Sequence, residues 1–229
     1  MSSYRILPTI KDLKFKFIGE EGELSEINKI DKNTNEDDKE IIEYGIMVVG
    51  DSLTGKSSFC YRFALDDFDL EIKPSIETSC FCKTIILFDK EIKIYLIDME
   101  TVQVAPLTEE EENDLYKIID GIVFIYDITN YESFENLEKI LNNMKKKIDL
   151  KKIHTIMVGN KNDLGFLRNI DFDEAKEKAL KLGCELKEIN CNRDEEMVHN
   201  VMKNLIAKIY VDSLENYEKE KLIKQVKEL

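Results

Sequence analysis

The stretch Ile46-Met-Val-Val-Gly50-Asp-Ser-Leu-Thr-Gly55-Lys56-Ser57-Ser58 decides how the rest of the chain is read. A short apolar run ends in a loop with the pattern G-x-x-x-x-G-K-[ST], and an amphipathic stretch follows to about Leu65. Strand, glycine-bearing loop and helix in that order form a phosphate-binding loop. Gly50 and Gly55 let the backbone curl so that successive N–H groups from Ser52, Leu53, Thr54, Gly55, Lys56, Ser57 and Ser58 converge on phosphate oxygens at a helix N-terminus. Lys56 supplies the positive charge for the terminal phosphates, and the Ser57 hydroxyl is the expected Mg²⁺ ligand. Average residue frequencies produce this pattern by chance in roughly one chain in a hundred, before the flanking strand and helix are demanded.

Downstream of this loop the pattern alternates. Cys80–Phe88 and Ile92–Asp98 predict two strands joined by a tight turn at Asp89-Lys90. Gly121–Tyr126 and the largely apolar Ile153–Val158 are runs of the kind covered on both faces of a sheet, and Cys184–Ile189 predicts a shorter sixth strand. Between them lie apolar stripes at helical spacing: Phe134, Leu137, Leu141 and Met144; Ala175, Ala179 and Leu182; Val198, Met202, Leu205 and Ile209. Thr108 with Glu111 and Thr129 with Glu132 have capping-box spacing. These units predict an α/β fold: a six-stranded, mostly parallel sheet with one antiparallel strand and helices on both faces.

Composition excludes several classes. The net charge of -14 disfavours nucleic acid and anionic lipid as partners. No apolar run approaches the ~18–20 residues needed to cross a bilayer. Five scattered cysteines form neither a zinc spacing nor a C-x-x-C pair, and read as reduced thiols. His154 and His199 read as surface residues.

After Ile153–Val158 comes Gly159-Asn160-Lys161-Asn162-Asp163. A carboxylate at Asp163 can accept from the N1–H and the exocyclic amine of guanine, a donor pair that adenine lacks. With this loop added, residues 43–210 resemble the Ras superfamily, and its Rab branch most closely. Gly50-Asp-Ser, Tyr126-Asp-Ile-Thr-Asn and Ser133-Phe-Glu-Asn-Leu137 carry the resemblance. It implies a P-loop GTPase G domain over 43–211, with an N-terminal extension at 1–42 and a helical tail at 212–229. Within that extension Leu13, Phe15 and Phe17 alternate as in a strand that docks, and 31–39 is a polar linker.

The resemblance further implies GTP or GDP with Mg²⁺ as cofactors. It gives Asn160, Lys161 and Asp163 to the base, and Phe68 to the edge of the guanine ring. Ser75 falls at the switch position that ligates Mg²⁺ and meets the γ-phosphate, and Asp98 holds the metal through water. Cys191 and Asn192 fall in the loop whose main chain meets the guanine carbonyl. From the residues alone, Phe68 also fits a helix-end core position, Ser75 an ordinary loop serine, and Cys191 plain packing.

The family's D-T-A-G-Q segment is Asp98-Met-Glu-Thr101-Val102 here. Val102 stands where a glutamine orients the attacking water, so slow or absent GTP hydrolysis is expected. The last cysteine is Cys191 and residue 2 is Ser, so neither prenylation nor N-myristoylation is expected. The reading is therefore a cytoplasmic Rab-like adaptor in vesicular or ciliary-type transport. Effectors and regulators would engage its switch regions and terminal extensions, and any membrane recruitment would pass through a partner. A slow enzyme activated by a partner's arginine and a nucleotide-free scaffold are the rival readings.

Overall fold

The computed structural model describes residues 16–18, 42–66, 79–99 and 109–214, with side chains described except at 16–18 and 109–111. Seven strands form one sheet: β1 (Lys16–Ile18), β2 (Ile42–Val49), β3 (Ser79–Leu87), β4 (Lys90–Asp98), β5 (Ile119–Asp127), β6 (His154–Asn160) and β7 (Glu185–Glu188). Their spatial order is β1-β3-β4-β2-β5-β6-β7. The expected six strands are present, with β3 antiparallel to β4 and the rest of the ladder from β4 to β7 parallel. The seventh, β1, comes from the N-terminal extension and pairs parallel with the start of β3. Of the Leu13-to-Phe17 pattern, Phe17 falls in this strand, while Leu13 and Phe15 lie outside the described residues.

Strand alternation sorts the core into two layers. Ile46, Val48, Val123 and Ile125 face one side, where they meet Phe59, Cys60 and Phe63 of α1 (Lys56–Leu65) and the apolar stripe of α5 (Glu195–Ser213). Met47, Val49, Ile122 and Phe124 face the other. There they pack against Leu115 of α2 (Glu109–Lys117), Phe134, Leu137 and Leu141 of α3 (Tyr131–Met144), and Ala175 and Ala179 of α4 (Phe172–Leu182). β5 lies between the two layers and carries no charged residue from Gly121 to Tyr126 because neither face meets water there; the buried Asp127 closes the strand.

Two local expectations are corrected. The hairpin turn is at Phe88-Asp89, one residue earlier than expected, and both residues have positive φ, as a two-residue type I′ loop requires. The Phe88 ring stacks on Tyr210, with centroids 5.8 Å apart, a contact that offsets part of the cost of left-handed backbone. The cap of α3 is Asn130, not Thr129. Asn130 Oδ1 accepts from the N–H groups of Glu132 and Ser133, while the Thr129 hydroxyl donates to Asp127. Thr108 and the tail from 215 onward lie outside the described residues. None of the five cysteines is in a disulfide, and burial pushes the Cys60 and Cys80 thiols up, which keeps them protonated. His154 and His199 are half-buried rather than free on the surface, and each pairs with an aspartate, Asp212 and Asp66 respectively.

Candidate nucleotide site

The carboxyl ends of β2, β4, β5 and β6 meet at one end of the sheet, the side where open α/β sheets place their ligands. The loop after β2 turns tightly beneath the end of β5. A Cβ on Gly50 would lie 2.0 Å from the Ile125 carbonyl oxygen, so only glycine fits there. The loop is then braced from inside. The Asp51 carbonyl accepts from both Lys56 Nζ and Thr54 Oγ1, each at 2.8 Å, and the Asp51 carboxylate accepts from Asn136 Nδ2 of α3 at 2.6 Å.

Thr54 and Lys56 are buried, whereas Ser52 and Leu53 form the exposed crest. Leu53 adopts a left-handed conformation and is 73% exposed, so its side chain points out to solvent and does not fill the cradle. Gly55, at φ 95, starts α1 with no side-chain cap, and the first turn holds no carboxylate. The N–H groups of a helix's first turn point toward an anion placed before it, and no carboxylate of this turn competes for that place.

Beside this cradle the Ser57 hydroxyl donates to the Asp98 carboxylate at 2.6 Å. Asp98 is buried at the end of β4. A hydroxyl and a carboxylate in contact beside a phosphate cradle are a hard-oxygen donor set suited to Mg²⁺. The glycine cradle, the uncapped helix and this pair together fit a magnesium-bound polyphosphate.

A second loop closes over the first. Asn160, at the end of β6, donates through Nδ2 to the Thr54 carbonyl at 2.9 Å and accepts through Oδ1 from the Cys191 N–H at 3.2 Å. One buried side chain thus ties three loops: 50–57, 160–163 and 190–192. Lys161 is left-handed, and its Nζ lies 2.6 Å from Asp127 Oδ2. The other oxygen of Asp127 accepts from the Thr129 N–H and hydroxyl.

Asp163 is exposed in the short 3-10 turn Asn162–Leu167, with its charge near enough to Cys191 to raise that thiol. Burial is the larger cause and pushes the Cys191 thiol up to about 12, so this residue offers no thiolate, and its main chain is held by Asn160 at the N–H and by Arg62 at the carbonyl. Asn192 is exposed in the same loop. The structure therefore brings together Ser52 to Ser58, Asp98, Asn160, Lys161, Asp163, Cys191 and Asn192. Phe68, Ser75, Thr101 and Val102 lie outside the described residues.

Sequence reasoning missed four supporting residues. Asp51 and Asn136 brace the phosphate loop, and Asp127 orients Lys161. Arg62 of α1 donates to the carbonyls of Cys191 and Asn192 at 3.0 and 2.9 Å. For Asp127 a signal existed in its place at the end of an apolar strand. Arg62 acts across a separation of 129 residues and left no local trace.

Known proteins align with this same span. The profile of the family described as "Ras family" matches residues 45–211. The Ras-related protein Rab-11A of Dictyostelium discoideum is 30% identical over 168 residues, covering 73% of this chain and 76% of that protein. The Ras-related protein RABA4b of Arabidopsis thaliana is 29% identical over 170 residues, covering 73% and 72%.

Proposed function

The chain belongs to the Ras family on its Rab-like side, and from that membership we propose that it is a guanine-nucleotide-binding adaptor that hydrolyses GTP slowly. The observation that carries the reading is the Asn160 side chain, which couples the phosphate cradle at Thr54 to the base-reading loop at 160–163. A phosphate loop alone serves many nucleotides; this linkage adds Asp163, whose carboxylate can accept two hydrogen bonds from guanine.

In this reading the N–H groups from Leu53 to Ser58 hold the phosphates, and Lys56 exchanges the Asp51 carbonyl for phosphate oxygens. Ser57 and Asp98 hold Mg²⁺, the latter through water, with Ser75 as the further ligand. The metal supplies charge neutralisation for the phosphates. Phe68 meets the edge of the guanine, and the main chain of Cys191 and Asn192 meets its carbonyl side. Val102 has no polar group to orient a water, so the GTP-bound form persists, and exchange and partners set the state of the protein. Effectors and regulators engage the switch regions and terminal extensions. The working setting is vesicular or ciliary-type transport, in the cytoplasm or at membranes reached through a partner.

The test is to denature the purified full-length protein and identify any released nucleotide by chromatography, then to follow GTP turnover with Mg²⁺. Bound GDP or GTP, with turnover well below that of ordinary small GTPases and raised by Val102→Gln, is the expected result. No nucleotide, together with no affinity for either GDP or GTP, sinks the reading and leaves a scaffold. Ordinary unassisted turnover removes only its hydrolytic part.

A further inference from the structure

The geometry points to the outer edge of β3 as a strand-docking surface, occupied by the chain's own Lys16–Ile18 and coupled to the nucleotide held beside it. The coupling rests on the nucleotide-binding reading given above. An edge strand presents unpaired N–H and C=O groups that accept any extended segment. Here β1 takes the first three positions, in the register Lys16↔Ser79, Phe17↔Cys80 and Ile18↔Phe81. Those three β3 residues are buried, at 6%, 0% and 1% exposure, whereas Ile86 farther along is 79% exposed.

The rows of the sheet connect this arm to the phosphate site. Ser79, opposite Lys16, stands opposite Asp98 on its other side, and Asp98 stands opposite Val48. Asp98 is the carboxylate that receives the Ser57 hydroxyl. The backbone of Lys16 thus lies in the same row as the proposed metal carboxylate, two strand spacings or about 10 Å away. Ser79 also follows Ser75 by four positions in the sequence. Docking of the arm constrains Ser79 directly, and in the nucleotide-binding reading a γ-phosphate held at Ser75 would constrain the chain four positions before it. Two ligands that order the same segment favour each other, and the coupling is reciprocal. The arm therefore docks more tightly in the GTP-bound protein, and a docked arm raises the preference for GTP over GDP.

The test is hydrogen exchange by mass spectrometry on the full-length chain, loaded with GDP or with a non-hydrolysable GTP analogue. The amides of 16–18 are expected to be protected, and at least about fivefold more so with the analogue, the low end of ordinary allosteric coupling. Alternate residues of a strand turn their N–H to opposite sides. The pair Phe17→Pro and Ile18→Pro therefore removes whichever donor faces β3, and is expected to lower the GTP-to-GDP affinity ratio by a similar factor. Equal exchange with the two nucleotides, exchange at the rate of an unpaired peptide, or an unchanged affinity ratio in the folded variant overturns the inference. If the variant does not fold, exchange in the unsubstituted chain decides alone. Protection that rises with protein concentration overturns the intramolecular occupant in favour of a second copy. Retained nucleotide with flat exchange removes this inference only, whereas no retained nucleotide removes the nucleotide-binding reading and the coupling together.

Discussion

The Asn160 amide donates to the Thr54 carbonyl across 2.9 Å, joining residues 106 positions apart in the chain. Its oxygen accepts from Cys191 at the same time, so Asn160→Ala strands a buried carbonyl and a buried N–H. Each stranded group costs about 1–3 kcal/mol. A loss of about 2–4 kcal/mol in urea unfolding is expected, with faster nucleotide release. Asn160→Asp keeps the acceptor for Cys191 but sets a carboxylate against the Thr54 carbonyl, and is expected to be no better than the alanine.

Gly55 and Gly183 separate strain from function. Both have left-handed φ, 95° and 74°. A Cβ at Gly55 would lie 2.2 Å from Asn160 Nδ2, while one at Gly183 meets nothing within 4 Å. Gly183→Ala is expected to lower stability by about 1 kcal/mol, the cost of left-handed backbone, and to leave nucleotide retention intact. Gly55→Ala displaces Asn160 as well and is expected to abolish retention. Unfolding and filter-binding assays on the two variants read the contrast.

Arg62 reaches two adjacent carbonyls with one planar fork, a geometry an ammonium group does not reproduce. Arg62→Lys is expected to loosen 190–192 at a cost of about 1–2 kcal/mol, since hydrogen bonds to charged groups are worth about 1.5–3. The nucleotide dissociation rate, measured with a fluorescent GDP analogue, is then expected to rise roughly tenfold, about 1.4 kcal/mol. An unchanged rate would remove Arg62 from the site.

Asp66 caps the end of α1, and its carboxylate accepts from Lys83 at 2.8 Å and contacts His199 at 2.7 Å. Burial pushes its pKa up, but hydrogen bonds and charge from Lys83 and His199 outweigh that and hold it below the ordinary 3.8. A depressed carboxyl pKa stabilises the fold above the ordinary value, and the effect is lost as pH falls through the folded-state value. Asp66→Asn is therefore expected to lower the melting temperature at pH 6, on the scale of an exposed pair, below about 1 kcal/mol. The two proteins are expected to converge as pH drops below 3.8. A gap that persists in acid would point to packing instead.

What the sequence made legible were features whose cause is local. Gly50 to Ser57 declares itself because glycines, lysine and serine must stand at fixed spacing before a helix. β5 and β6 declare themselves because a strand buried on both faces is apolar along its middle, polar residues such as Asp127 and Asn160 standing at its end. The features that escaped depend on contacts made elsewhere. Thr129 and Asn130 are both good caps, and the choice fell to Asn130 because Asp127 draws the Thr129 hydroxyl away. The Phe88 ring at the turn stacks on Tyr210, far along the chain, a contact no local pattern announces. The period-two pattern from Leu13 to Phe17 suggested a strand but carried nothing to say that β3 would be its neighbour.

Because β1 lies in parallel register with Ser79–Phe81, it covers the outer margin of β3 at the end nearest Asp98. In concentrated solution a second molecule approaching along that margin would meet β1 before it met β3. Self-association along this side of the sheet would therefore leave the row that holds Ser79 and Asp98 untouched.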